Sequence, residues 1–175
     1  GTYNLKMTFG DQTSESSIKV EFDPRLEMST EAITEIYNVS KDLEKDQQLM
    51  ADIVKQLVES KLTATGFKKD LGKEDKKKYK DQIKLSKDII NKIDELIAVF
   101  IGKIDKRQGI TRNPEVTINR RYFSARRYVG SRFGPLTSTE ERLISQFKKA
   151  LKEAVKKTND FFDTDWLTYK KLLET

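Results

Sequence analysis

The sequence contains no cysteine and no histidine. Disulfides, thiol nucleophiles, Cys/His zinc sites and imidazole acid–base catalysis are therefore excluded. Apolar runs are short as well, and none approaches the roughly 18 residues that a membrane-spanning helix needs. No carboxylate pair is placed for acid–base work, so we predict a chain without catalytic residues, cofactor or metal. The chain begins at Gly1 without a methionine or a signal peptide, and we expect it to be a piece of something longer.

The composition is poor in hydrophobic residues (36%) and rich in charged ones (35%). Long helices that each bury only one stripe explain both values, whereas disorder would not keep a regular apolar period. The net charge of +6 comes from two segments, Gly66–Lys80 and Lys103–Arg132, and the rest of the chain is slightly acidic. A chain of 175 residues is long enough for one domain, or for one domain with an appendage.

The strongest pattern predicts a helix from about Tyr79 to Ile104. Its apolar residues recur at intervals of three and four, interrupted only by Ser86, and they are Tyr79, Ile83, Ile90, Ile93, Ile97, Phe100 and Ile104. Extra apolar positions widen this stripe, so the helix is expected to pack against two neighbours. We predict that it runs on to about Arg107 and stops at Gly109.

Two further patterns supply those neighbours. A first helix is predicted to begin at Ser29 or Thr30, and its apolar residues at Ile36, Leu43, Met50 and Leu57 are spaced by sevens, as in bundles. Gly66 and Gly72 are predicted to bracket a lysine-rich turn to the second helix.

A third helix is predicted from the capping box at Thr137–Glu140 or Ser138–Glu141, and it runs to the C-terminus with a possible interruption at Asp163-Thr164-Asp165. Ile110–Ile118 is expected to be irregular, and Asn119–Phe133 a short helix.

The N-terminal stretch has the alternating pattern of strands. Tyr3, Leu5, Met7 and Phe9 alternate with polar residues, Gly10-Asp11 is a turn signal, and alternation resumes up to Asp23-Pro24. We predict a β-hairpin whose second strand begins as early as Gln12. Because two strands alone are marginal in water, we expect this hairpin to pack on one side or end of the helices, or to be the edge of a larger sheet. The predicted fold is thus mainly α, an antiparallel three-helix bundle (26–175) with an N-terminal β-hairpin (1–25).

The hairpin carries a resemblance. Gly1-Thr2-Tyr3-Asn4-Leu5-Lys6-Met7-Thr8, Gly10-Asp11, Ile18-Lys19-Val20 and Asp23-Pro24-Arg25 resemble the closing strands of an immunoglobulin-like sandwich. Followed by long helices, they are similar to the C-terminal region of large bacterial sortilin-like proteins with Asp-box (BNR) β-propellers, often labelled glycosyl hydrolases. The resemblance is weaker over the helices, where Tyr128-Val129-Gly130-Ser131-Arg132-Phe133-Gly134 stands at the family's leucine-glycine-tyrosine turn.

This resemblance implies a function and a location. It implies a non-catalytic C-terminal interaction or structural module of a larger secreted protein, in the periplasm, at the cell surface or outside the cell. The implied partners are upstream domains of the same polypeptide, with another protein or a second copy as further possibilities. No catalytic motif comes with it, and the propeller itself is absent from this sequence.

An arginine-aromatic stretch offers an alternative function. Interleaved arginines and aromatic rings are what single-stranded nucleic-acid binders use, and residues 120–133 fit a basic helical module of that kind. The competing interpretation is that the rings plug the end of the bundle while the arginines pair with acidic helices, and we favour it, so nucleic acid is not the expected partner. The candidate surface comprises Arg120, Arg121, Tyr122, Arg126, Arg127, Tyr128, Arg132 and Trp166.

Three weaker candidates remain. The run Lys76-Lys77-Lys78 would suit a polyanion, but it is interpreted as a solvated turn. Asp160, Asp163 and Asp165 suggest a hard-cation site, although they lack the glycine and terminal glutamate of a calcium loop. Trp166, with the pair Phe161-Phe162, is interpreted as core or as a dock for the hairpin, and becomes a partner groove only if exposed.

Overall fold

A computed structural model of the chain describes residues 1–25, 28–103 and 116–173. These are mainly helical, with one antiparallel two-stranded hairpin at the N-terminal end. The elements in chain order are strands β1 (Thr2–Phe9) and β2 (Gln12–Lys19) and helices α1 (Thr30–Glu74), α2 (Lys80–Ile101), α3 (Ile118–Gly130), α4 (Ser138–Phe161) and α5 (Leu167–Leu173). A π-helical turn, Phe162–Trp166, joins α4 to α5 into one rod. Within these ranges no helix is long and apolar enough to cross a membrane.

The predicted hairpin is confirmed, including its second strand at Gln12. The strands are joined by a two-residue loop whose first residue, Gly10, has φ +58°, a conformation that favours glycine. Tyr3 stands opposite Ile18 and Phe9 opposite Gln12. Side chains of paired residues share a face, so the register collects the apolar residues of both strands on one side of the hairpin.

Helix α1 begins as predicted but is much longer than expected. Ser29 caps it by accepting a hydrogen bond from the Ala32 amide at 3.2 Å, and the residues spaced by sevens do line its packed side. The predicted turn bracketed by Gly66 and Gly72 is wrong, because the helix continues through both to Glu74. An interior glycine costs a helix only about 1 kcal/mol relative to alanine, and packing of Phe67 edge-on against Tyr169 offsets that cost.

Helix α2 ends earlier than predicted. It stops at Ile101 because Gly102, at φ +87°, leaves the helical conformation while its amide still bonds to the Ala98 carbonyl at 2.8 Å. The predicted stop at Gly109, the extension to Arg107 and most of the irregular stretch Ile110–Ile118 lie outside the described residues. Helices α1 and α2 pack against each other and are linked across by Lys61 Nζ, 2.6 Å from the Asp94 carboxylate.

The boundaries of the later helices agree closely with those predicted from the sequence. The predicted short helix over Asn119–Phe133 is confirmed as α3, which spans Ile118–Gly130. Thr117 caps it by accepting a hydrogen bond from the Arg120 amide. The capping box at the start of α4 is the one between Thr137 and Glu140. The predicted interruption at Asp163-Thr164-Asp165 is also confirmed, since those residues lie in the π-helical turn.

The core lies between the helices. It is one cluster in which residues of α1 and α2 meet those of α3, α4 and α5, including Leu43, Leu57, Ile93, Phe100, Tyr122, Phe147 and Tyr169. Ser86, the polar residue in the apolar stripe of α2, is fully buried and hydrogen-bonded to Tyr169 Oη at 2.9 Å. No strand residue belongs to this cluster.

Candidate functional site

The apolar face of the hairpin is uncovered. Its six large side chains are between 49% and 84% exposed, and they are Tyr3, Leu5, Met7, Phe9, Ile18 and Val20; Phe22, beyond the end of β2, is 60% exposed. Both strands are exposed along their whole length. The expectation that the hairpin packs on the helices is therefore wrong. The helices bury their stripes against one another, so their packing does not require the hairpin.

This face is large for an exposed surface. With roughly 150–250 Å² per aromatic side chain, the exposed parts of Tyr3 and Phe9 alone amount to on the order of 300 Å². The aliphatic residues add to this area, and the largest apolar patch on an ordinary monomer is roughly 300–600 Å². The opposite face is polar, with Lys6 paired to Glu15 at 3.6 Å and Thr8 beside Thr13. Each strand also has one edge without a partner strand in the described ranges. An amphipathic hairpin of this kind is typical of an interface.

One predicted surface residue, Tyr122, belongs to the core instead. It is fully buried, its ring lies 5.6 Å from that of Phe147, and its hydroxyl donates to Gln47 Oε1 at 2.6 Å. Burial raises the pKa of this phenol above its ordinary value, which the positive charge of Arg126 partly opposes. The surface assignment of Tyr122 is wrong because α3 turns this ring inward.

The rest of the arginine-aromatic stretch remains at the surface. Arg120, Arg126, Arg127 and Tyr128 are exposed, and Arg121 is partly so. Phe123, which the same stretch contains, is 50% exposed. The idea that all rings plug the bundle therefore holds only for Tyr122.

Arg132 has a structural role at the start of α4. It donates to the Pro135 carbonyl at 3.0 Å and lies 3.9 Å from the buried Glu140. The Thr137 hydroxyl and amide both donate to Glu140, and they lower the pKa of its carboxyl. Arg132 is thus committed to the turn between α3 and α4 rather than to a ligand.

Trp166 lies in an aromatic cluster rather than at an open groove. Its ring is half-buried, 5.5 Å from Tyr169 and 6.4 Å from Phe161. Burial raises the pKa of Tyr169 above its ordinary value. Trp166 therefore packs against the core, in agreement with its interpretation as a core residue, and its place in an interaction surface stays a prediction.

The proposed cation site is not formed. Asp165 accepts a hydrogen bond from Lys92 at 2.7 Å, and in the described part of the chain no three acidic side chains gather as metal ligands. Asp163 and Asp165 both lie in the π-helical turn, and Asp165 is paired with Lys92. The cation hypothesis is wrong.

Sequence reasoning missed one cluster. A common hollow lies where α1 turns into α2, and it is lined by Lys68, Lys69, Lys73, Lys76 and Lys80. The signal was the helical spacing of Lys69 and Lys73 across Gly72, which the wrongly predicted turn concealed.

Comparison with protein-family models, with curated proteins and with solved structures gives no match to this chain. The proposal below therefore rests on the geometry of the chain and on the resemblance of its hairpin. Two exposed surfaces in the described residues bear on function: the apolar face of the hairpin, and the side of α3 that carries Phe123 and Tyr128.

Proposed function

We propose that this chain is a non-catalytic interaction and support module of a larger secreted β-propeller protein. Its hairpin would form one edge of an immunoglobulin-like sandwich whose other strands come from an upstream domain of the same polypeptide. The uncovered apolar face of the hairpin is the observation that carries the proposal. Location in the periplasm, at the cell surface or outside the cell belongs to the same proposal and follows from the resemblance of the hairpin.

Sheet packing explains why strands are the proposed occupant. A sandwich consists of two sheets whose apolar faces meet, each with its polar face outward. The hairpin has one polar face and one face that is apolar along β1. On that second face β2 contributes Ile18 opposite Tyr3, and serine or glutamine opposite Leu5, Met7 and Phe9. Its free edges also offer main-chain donors and acceptors to additional strands. A facing sheet would cover the face, and added edge strands would remove the exposed edges.

The helices provide the support in this proposal. We infer that α1, α2 and the α4–α5 rod act as the predicted antiparallel three-helix bundle, with α3 as a short brace. The ion pair between Lys61 and Asp94 and the bond between Ser86 and Tyr169 support this arrangement, because they tie α1 to α2 and α2 to α5. In this proposal the bundle is an ordered neighbour of the hairpin in the chain, and the hairpin takes a fixed place only when the upstream strands cover it.

The first test is the gene upstream of the codon for Gly1. We expect a secretion signal, repeated Asp-box blades and the missing sandwich strands in one reading frame. An initiation codon immediately before Gly1 would overturn the proposal.

A second test uses two neighbouring positions that point to opposite faces. In the full polypeptide, Met7→Lys places a charge on the apolar face, whereas Thr8→Lys places the same charge on the polar face. Because a buried charge without a partner costs several kcal/mol, Met7→Lys should abolish hydrogen-exchange protection of the hairpin amides. Thr8→Lys should leave that protection nearly unchanged. Equal effects of the two variants would contradict docking through this face.

The exposed rings of α3 favour one alternative function. Phe123 and Tyr128 lie among exposed arginines, so α3 can stack bases and neutralise phosphates of a single strand. The test is titration of a fluorescent single-stranded oligonucleotide at several salt concentrations. Affinity should fall steeply with salt and should weaken with Arg126→Ala plus Arg127→Ala. Lys152→Ala plus Lys156→Ala removes the same charge from α4 and serves as the control; absent or salt-insensitive binding excludes this alternative.

A further inference from the structure

A hollow lined by lysines lies where α1 turns into α2. It has a volume of about 490 Å³, and five lysine side chains line it: Lys68, Lys69, Lys73, Lys76 and Lys80. Gly72 lies among them, and a Cβ built there would come no closer to another side chain than 4.0 Å, at Lys76 Cε. The absence of a side chain at this position leaves space between the lysines.

The turn that brings these lysines together is well defined by hydrogen bonds. The Asp75 carboxylate accepts bonds from the amides of Lys77 and Lys78 at 2.8 and 3.1 Å. The amide of Tyr79 bonds to the Asp75 carbonyl at 3.0 Å. These contacts fix where α2 starts relative to the end of α1, so Lys76 and Lys80 are held opposite the lysines of α1.

The lysines that line the hollow are not balanced by carboxylates of the same lining. No carboxylate is among the residues that line it. In the described ranges only one of the five lysines, Lys73, has a carboxylate within 4 Å, that of Asp70 at 3.6 Å. Asp75 is engaged with the turn amides, and Glu74 and Asp81 do not line the hollow. Clustered like charges repel one another, and an anion held among them would relieve that repulsion.

The start of α2 adds to this positive potential. Tyr79 precedes the helix and gives it no side-chain cap, so its first-turn amides have no side-chain acceptor at that position. Amides at a helix N-terminus favour anions. Lys80 is both the first residue of α2 and part of the lining, which places this helix end at the rim of the hollow.

The lining selects among anionic ligands. It contains no aromatic ring on which a base could stack, and Ile83 is its only large apolar residue. Between residues 63 and 98 no large apolar side chain is strongly exposed, so nothing beside the lysines would enter a bilayer. Lysine is a compact point charge that suits phosphate oxygens. We propose that this hollow binds a small, multiply charged phosphate anion from solution, independently of the hairpin and its function.

Calorimetric titration with inorganic tripolyphosphate at low salt tests the proposal. We expect saturable binding with one site per chain, and amide shifts in nuclear magnetic resonance confined to residues 68–83. The variant Lys69→Gln/Lys76→Gln/Lys80→Gln should weaken binding by about tenfold or more, because it removes three of five contacts while keeping the Lys73–Asp70 pair. All three side chains are exposed, so the fold should be retained, which circular dichroism checks.

The matched control is Lys45→Gln/Lys152→Gln/Lys156→Gln, which removes the same charge from exposed positions outside the hollow. It should change the affinity by less than about twofold. Equal weakening by both triple variants, or the absence of saturable binding, would overturn the proposal. Binding to vesicles of anionic phospholipid without binding of tripolyphosphate would overturn it as well, since that ligand would be a surface rather than a soluble anion.

Discussion

The hydrogen bond between Ser86 and Tyr169 can be tested with two conservative substitutions. Ser86 Oγ donates to the Gln82 carbonyl at 2.8 Å, which uses its only proton. The Tyr169 hydroxyl, 2.9 Å away and buried, must therefore donate to Ser86. Tyr169→Phe removes this donor, and Ser86→Ala removes its acceptor.

The two single variants should differ in cost. Tyr169→Phe leaves a serine that still bonds to Gln82, so we expect the free energy of unfolding to fall by about 1 kcal/mol. Ser86→Ala leaves the buried Tyr169 hydroxyl without an acceptor, which costs about 1–3 kcal/mol of unfolding free energy. About 0.5 kcal/mol is regained because alanine is a better helix former than serine. The double variant has neither polar group, and its cost should be about 1 kcal/mol less than the sum of the single costs.

Urea denaturation gives these free energies, monitored by the fluorescence of Trp166, the only tryptophan. Its ring lies 5.5 Å from that of Tyr169, so the signal reports on this region, and far-UV circular dichroism reports on the helices as a whole. Coincident transitions with unchanged slopes would justify a two-state treatment. Costs that add within about 0.3 kcal/mol would refute a net contribution from this hydrogen bond.

Three other predictions concern Gly66, Glu140 and the pair of buried tyrosines. Gly66→Ala should raise the free energy of unfolding by about 0.5–1 kcal/mol, because nothing lies within 4 Å of the added Cβ and alanine favours the helix; thermal denaturation measures it, and a loss would contradict a regular helix there. Glu140→Gln should flatten the acid side of the curve of unfolding free energy against pH. The lowered pKa of Glu140 contributes stability above the ordinary pKa of 4.5, and this stability is lost as pH falls through the pKa of the folded state. An unchanged acid side would contradict the role of the Thr137 bonds. The raised phenol pKa values of Tyr122 and Tyr169 give stability that is complete below the ordinary pKa of 10.0 and is lost as pH rises through the pKa values of the folded state. Replacing both tyrosines with Phe should therefore flatten the alkaline side of the same curve. An equally steep curve would argue against their burial.

The helices and the hairpin could be predicted because their signals are local. The spacing by sevens in α1 and the capping box at Thr137 depend on residues within a few turns, and both are found where expected. The turn at Gly10-Asp11 needs one residue with positive φ, which the sequence provides as glycine. By contrast, the predicted turn between Gly66 and Gly72 failed because a weak helix former gives way to packing with residues distant in the chain.

The candidate surfaces could be predicted only in part. The sequence showed that residues 120–133 mix arginines with rings, but not that Tyr122 faces inward while Phe123 and Tyr128 face outward. It placed lysines near the α1–α2 connection without revealing that five of them line one hollow. Which side chains of a helix point into the core depends on how the helix is rotated about its axis in the bundle. The neighbours that set this rotation are far apart in sequence.

By itself, the sequence determined the kinds of element, most of their boundaries and the chemistry excluded by the lack of cysteine and histidine. These follow from periodicity, caps and residue types, which act over short stretches. The tertiary structure alone decided that Ser86 is buried against Tyr169 and that the apolar face of the hairpin is uncovered. Both depend on whether another part of the molecule packs over the Ser86 side chain or over the hairpin face. For Ser86 that part is α5, more than eighty residues along the chain, and for the hairpin no described residue provides it.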